Sequence, residues 1–222
     1  MSALRYTLVT EGSSDRVLMP ILDWLLIELL GDLGNQIAID GKYADLASIK
    51  TRDLSEKIAQ ALDLYPCDLL FIHRAADSKP PQDRVQEILQ ALARLPPEGV
   101  PPSPVPIIPV RMTEAWLLIS ETAIRVAACH RDGKARLQLP PLHSLEKLAN
   151  PKQKLFQLLL QASELSGRRR RDFNPRKRIH QISLAISDFT PLRQLSSFQN
   201  LEKDLRDWLR VKYNLQGFMA NA

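Results

Sequence analysis

The sequence predicts an α/β protein with an open parallel sheet of about four strands and flanking helices, followed by a mainly helical, basic C-terminal part. Three observations carry that expectation. Short β-rich or apolar runs alternate four times with segments of helical period, which is the pattern of parallel strands joined by right-handed crossover helices. The run Asp68–His73 (DLLFIH) is almost continuously apolar, as a strand covered on both faces must be. The last third of the chain shows helical period with no convincing strand, and its charge balance reverses. Residues 151–222 hold 14 Lys/Arg against 6 Asp/Glu, a net +8, whereas residues 1–150 hold 16 against 19, a net −3. The chain therefore divides into an α/β domain over residues 1–150 and a basic helical extension over residues 151–222.

The elements follow in order. Arg5–Thr10 is a short β-rich run that ends at Glu11-Gly12. Ser13 and Ser14 suit helix N-caps, and an amphipathic helix is expected from Asp15 to Leu30. Gln36–Ile39 is a second short strand. Leu54, Ile58, Ala61, Leu62 and Tyr65 recur at helical spacing, Asp68–His73 is the third strand, and Asp83–Leu95 returns to helical period. A proline-dense loop containing Pro96, Pro97, Pro101, Pro102 and Pro104 leads to a fourth strand, Pro106–Val110. That strand is short because proline cannot donate to a ladder. Thr113–Ala128 is expected to be helical, as are Leu145–Leu165 and Phe198–Tyr213.

Composition narrows the function classes. Apolar residues make up 45% of the chain, ordinary for a folded domain and incompatible with wholesale disorder. The longest apolar stretch, Val17–Leu30, is interrupted by Asp23 and Glu28, so no membrane partner is expected. Met1–Arg5 lacks the basic-then-apolar pattern of a signal peptide. Cys67 and Cys129 match no metal spacing and read as buried thiols in a reducing compartment, which makes the cytoplasm the expected location. His73, His130, His143 and His180 form no ligand pattern, and Trp24, Trp116 and Trp208 read as core.

Ligands of open parallel sheets gather beyond the carboxyl ends of the strands. Glu11 and, four residues on, Asp15 follow the first strand; Asp77 follows the third; Glu114 follows the fourth. Carboxylates converging on one edge are the ligand type that a hard divalent cation takes, with water and phosphate oxygens completing the shell. Three of them also have a plainer reading; Glu11, followed by glycine at a tight strand-to-helix bend, is harder to dismiss. Asp15 and Glu114 favour the dipoles of their own helices, and Asp77 could close the loop before Pro80. By spacing alone the metal signal is weak.

The segment Leu8-Val9-Thr10-Glu11-Gly12-Ser13-Ser14-Asp15 resembles the first motif of Toprim domains, a Rossmann-like fold shared by topoisomerases, bacterial primases and overcoming-lysogenization-defect nucleases. The second Toprim motif is a strand followed by Asp-x-Asp, and Phe71–Asp77 (FIHRAAD) looks like it with Ala75 in place of the first aspartate. Pro109–Trp116 and Asn150-Pro151-Lys152 are similar to segments of small Toprim-like proteins encoded beside ATPases in prokaryotic defence loci. The resemblance implies a magnesium- or manganese-dependent nuclease acting on DNA or RNA, an effector of antiviral defence working with an ATPase partner. It implies Glu11 as general acid or base, Asp15, Asp77 and Glu114 as metal ligands beside Glu11, and Lys152 or Lys154 as a transition-state cation. Ala75 marks a missing ligand, through either natural divergence or deliberate inactivation. Activity is then expected to be weak or absent, and the alternative is a non-catalytic scaffold that binds nucleic acid or the ATPase.

In the tail, Arg168, Arg169, Arg170 and Arg171 are followed by Arg176, Lys177 and Arg178, with Phe173 and Asn174 between. Such a cluster neutralises phosphates in a salt-sensitive, sequence-tolerant way, and Phe173 could stack on an unpaired base. Arg74 and Arg111, beside the strand-end carboxylates, join the expected nucleic-acid contacts. A solvated linker or an acidic protein partner would use the same cations. No Gly-x-x-x-x-Gly-Lys loop occurs, so ATP hydrolysis would have to come from another chain.

Overall fold

The computed structural model describes residues 3–32, 37–44, 51, 53–77, 79–96 and 104–214. Four strands, β1 (Leu4–Val9), β2 (Ile39–Tyr43), β3 (Leu69–His73) and β4 (Val105–Ile107), form one sheet in the order β2-β1-β3-β4. Every pairing is parallel, with Leu4 opposite Ile39, Tyr6 opposite Leu69 and Phe71 opposite Val105. The chain moves outward from β1 to β2 and then returns across β1 to lay down β3 and β4. The direction of winding thus reverses at β1, which opens a crevice beyond the carboxyl ends of β1 and β3.

All five residues of β3 are buried, and their alternation divides the core. Leu69 and Phe71 face one layer, built from α1 (Leu18–Asp32) and the C-terminal helices; Leu70 and Ile72 face the other, built from α2 (Leu54–Leu64) and α3 (Pro81–Leu92). In α1, Leu18, Ile21, Leu22, Leu25, Leu26, Leu29 and Leu30 are all 2% exposed or less. Each such side chain contributes about 1.5–3 kcal/mol of burial free energy, so packing rather than propensity holds α1 in place.

The helices after residue 150 are α5 (Pro151–Ala162), α6 (Gly167–Asp172), α7 (Ile179–Ala185) and α8 (Ser196–Lys212); α4 (Glu121–Ala127) precedes them. They add Leu155, Leu159, Ile182, Phe198, Leu205 and Trp208 to the same core cluster that holds Leu4, Tyr6 and Phe71 of the sheet. α8 lies against β4, and α7 against α4 and the turn that follows β1. The boundary at residue 150 marks a change of composition inside one continuous core.

Several expected elements are adjusted. β2 lies later than Gln36–Ile39, because its pairing with β1 runs from Ile39 to Tyr43, and Gly41 there leaves room for the Tyr6 ring. Gln36 lies outside the described residues, as do residues 97–103 of the proline loop. β4 stops at Ile107; beyond it, only the Pro109 carbonyl continues the pairing, accepting from Ala76 N–H at 2.9 Å. The helix expected from Asp15 starts instead with a 3-10 turn, Ser13–Val17, capped by the extended backbone of Gly12 rather than by a serine side chain. Thr113–Ala128 breaks into a 3-10 turn, Thr113–Leu117, and α4, because Ser120 intervenes as an N-cap and accepts from Ala123 N–H at 3.2 Å. Asn150 likewise starts α5, and Glu164, with φ of 50°, lies just beyond its end. Cys67 is half-buried, but Cys129 is exposed, on a left-handed turn with φ of 59°, contrary to the expected burial. Among the described residues no helix is long and apolar enough to cross a membrane.

Candidate functional site

Glu11 stands two residues beyond β1, on a turn tied to its neighbour strand. The Thr10 hydroxyl donates to the Gly12 carbonyl at 3.0 Å, and so does the Tyr43 hydroxyl at 3.1 Å. The carboxylate of Glu11 projects across the crevice to the loop after β3. There it takes the Arg74 guanidinium at 2.6 Å and the backbone N–H of Ala75 at 3.4 Å. Two crossing points of the sheet, sixty-four residues apart in sequence, therefore meet at position 75.

Ala75 is 8% exposed and framed on both sides, since its carbonyl accepts from Arg84 Nε of α3 at 2.9 Å. Arg84 also pairs with Glu87 Oε2 at 2.8 Å and approaches Asp77 Oδ2 at 4.0 Å. Arg74 makes a second bond to Glu87, so it spans two carboxylates. Asp77 holds a left-handed backbone, φ of 54°, a conformation that costs an L-residue energy and recurs at functional turns. Arg84 and Glu87 were absent from the sequence-based set. Their signal was an opposite-charge pair three residues apart in the first turns of the helix after β3, the turns that border the crevice.

A buried polar group lies deeper. His73, the last residue of β3, is 2% exposed, with Nε2 at 3.1 Å from the Thr113 hydroxyl and Nδ1 at 3.5 Å from Asp15 Oδ2. The Thr113 hydroxyl can alternatively donate to Asp15 Oδ1 at 3.3 Å. Burial pushes Asp15 up to about 6, with the nearby Glu114 charge adding to the rise, while the Thr113 hydrogen bond and Lys152 oppose it. Burial also depresses His73 to about 4, against the raising effect of Glu11, Glu114 and Asp77. Glu114 is 6% exposed, and its oxygen lies 3.1 Å from Lys152 Nζ at the start of α5.

Glu11, Asp15, Asp77, Glu114 and Lys152 all reach the carboxyl edge of the sheet. They are not gathered as ligands of one ion: among the described residues no three His, Cys, Asp or Glu side chains are placed to hold a metal. Glu11, Asp77 and Glu114 face Arg74, Arg84 and Lys152 instead. As they stand, these residues do not fit a preformed cation site. The carboxylate chemistry suits magnesium or manganese, but position 75, whose backbone touches both Glu11 and Arg84, offers a methyl group.

The tail cations lie at the surface. Arg168, Arg169, Arg170 and Arg171 are exposed on α6, and Arg176, Lys177 and Arg178 occupy the next turn. Lys154 and Arg111 make no ion pair with any described carboxylate, unlike Lys152 and Arg74. No protein-family model, no curated protein and no solved structure matches this chain.

Proposed function

We propose that this chain follows the plan of a Toprim-type nuclease: a protein that receives a nucleic-acid backbone at the carboxyl edge of its sheet, with a divalent-cation site left incomplete by Ala75. The observation that carries the reading is the contact between Ala75 N–H and the Glu11 carboxylate at the reversal point of the sheet. An aspartate at position 75 would put a second carboxylate beside Glu11, in the crevice where ligands of such sheets bind. Magnesium is commonly held by one or two protein carboxylates together with substrate phosphates, so one added carboxylate is a large change. The sequence has no phosphate-binding loop, so in a defence assembly of this kind ATP hydrolysis would fall to a partner chain, and the free cysteines suit a cytoplasmic setting.

The pairing of Glu11, Asp77 and Glu114 with Arg74, Arg84 and Lys152 favours a second reading, a non-catalytic scaffold. In that case internal cations take the place of a metal, and the chain serves only to bind.

One experiment separates the two. Manganese is titrated against the chain and against Ala75→Asp, and both are then assayed on transfer RNA, single-stranded DNA and duplex DNA, with and without the co-expressed ATPase. The nuclease plan expects Ala75→Asp to bind manganese at least tenfold more tightly and to cut one of these substrates. Adding Glu11→Ala should then abolish cutting. Unchanged metal affinity together with no cleavage leaves the scaffold.

A further inference from the structure

Charge is distributed unevenly between the acidic edge and the face beside it. At the edge, Glu11, Glu87 and Glu114 each face a cation of the chain. On the adjoining face, Arg16, Arg169, Arg170, Arg171, Arg176 and Lys177 form no ion pair with any described carboxylate; Arg168 reaches only Asp172, at 3.6 Å. Gathering unneutralised cations in one region costs self-repulsion, and a polyanion relieves it.

The two regions are physically joined. α7 packs on the Ser13–Val17 turn, which begins two residues after Glu11, and on the Pro175–Arg178 turn that carries the basic run. α5, whose Lys152 holds Glu114, also packs on the Pro175–Arg178 turn. Along this junction stand two arginines, each over an aromatic ring: the Arg16 guanidinium carbon lies 5.9 Å from the centre of the Tyr43 ring, and that of Arg178 lies 5.8 Å from the centre of Phe173. His180, on the first turn of α7, follows Arg178 by two residues. It is close enough to Arg16 that burial first, and then the Arg16 charge, hold its imidazole below the usual value. Its Nδ1 is buried with no hydrogen-bond partner among the described residues.

An arginine supported on a ring is ordered before a ligand arrives. It offers donors to a phosphate and a guanidinium plane to an unpaired base. A duplex keeps its bases stacked on each other and cannot use that plane, whereas a single strand can.

We infer that Arg16, His180 and Arg178 form a binding bridge that carries a single strand of nucleic acid from the arginine cluster at residues 168–178 to the acidic edge at Glu11. This rests on the reading that the edge receives a nucleic-acid backbone, and it assigns the strandedness of the substrate and its path. Binding is tested with the chain as it exists, carrying Ala75, with EDTA present. The outcome is therefore independent of whether Ala75→Asp cuts.

Fluorescence anisotropy is measured with equal-length single-stranded RNA, single-stranded DNA and duplex DNA over a series of salt concentrations. The full chain should bind the single strands more tightly than the duplex. The double variant Arg16→Ala/Arg178→Ala should lose roughly tenfold in single-strand affinity and flatten the slope of log affinity against log salt by about 1.4, or about 0.7 per phosphate contact removed. Arg16→Lys/Arg178→Lys should keep the slope but lose the preference for single strands. Lys203→Ala, an exposed change on α8, should alter neither. Far-ultraviolet circular dichroism checks that each variant is folded, and the single variant Arg16→Ala, at an exposed position, repeats the test with half the change in slope should the double variant be unfolded. The path is overturned if the bridge variants bind and respond to salt as the unaltered chain does. The single-strand assignment is overturned if duplex binds as well or if the lysine pair keeps the preference. The whole inference is overturned if the chain binds no nucleic acid, which would leave the cluster to an acidic protein partner.

Discussion

Asp15 and His73 show how a single buried contact sets opposing responses to pH. Asp15 is 14% exposed at its side chain and is raised from 3.8 to about 6, so its protonated form is favoured in the folded state. The stability it contributes is fully present below 3.8 and is lost as pH rises through about 6. His73 is depressed from 6.5 to about 4, so it is buried neutral and stability is lost as pH falls from 6.5 towards 4. Between these limits the two slopes have opposite sign and largely cancel. Replacing Asp15→Asn removes one of them. The variant should gain stability relative to the unaltered chain as pH rises from 4 to 7, by at most about 3 kcal/mol at the upper end, since one pKa unit is about 1.4 kcal/mol. Urea midpoints measured across that range check it, and a difference that is flat with pH would show that Asp15 titrates normally. The sequence placed Asp15 near the edge through its spacing from Glu11, and His73 at the end of the third strand, but the burial of Asp15 against Thr113 was not legible. Thr113 lies ninety-eight residues away, in the turn after β4, and the strand order β1-β3-β4 brings the two together at one edge.

At the scale of elements, β2 shows how one small residue sets a strand's position. A Cβ on Gly41 would overlap the ring of Tyr6, which is fully buried on β1, pairs edge-on with Phe71 at 5.4 Å and donates its hydroxyl to Asp23 of α1 at 2.7 Å. The ring cannot swing aside without breaking that bond. Gly41→Ala should therefore destabilise the protein by about 1–3 kcal/mol, the usual cost of overpacking, as read from the shift in denaturant midpoint. An unchanged midpoint would mean that the ring moves freely. α8 is positioned by a different device. Glu146, fifty residues upstream, accepts from Ser196 and Ser197 through both backbone N–H groups and both hydroxyls, at 2.6 to 3.1 Å. A carboxylate at a helix start satisfies otherwise orphaned donors and complements the helix dipole. SSFQ has the spacing of a capping box, but the structure does not use it: Leu195 is the N-cap without a side-chain cap bond, and the capping carboxylate comes from another part of the chain.

Across the whole molecule, the tail is bound to the sheet by shared core. Trp116, on the turn that carries Glu114, meets Phe198 of α8 edge-on at 5.4 Å, and Trp208 is 6% exposed. Removing residues 151–222 would uncover the apolar face of β4 and α4 and would take Lys152 from Glu114. The full chain should unfold in one transition, coincident by tryptophan fluorescence and far-ultraviolet circular dichroism. A fragment of residues 1–150 should lose cooperative unfolding and bind a hydrophobic dye. A fragment that melts cooperatively would instead mark the tail as a separable unit.

Hydrophobic period and turn chemistry, which are local properties of the backbone, were enough to read four parallel strands, their crossover helices and the helical tail from the sequence. They were also enough to place Glu11, Asp77 and Glu114 beyond strand ends, since a strand's exit point is defined by its own residues. Only the tertiary structure decided which charge each of them faces. Arg74, Arg84 and Lys152 come from a strand end and two helix starts, and they reach the same edge because the sheet reverses at β1 and α5 packs on the Thr113–Leu117 turn. Pairings of that kind depend on strand order and helix crossing, which no short window of sequence contains.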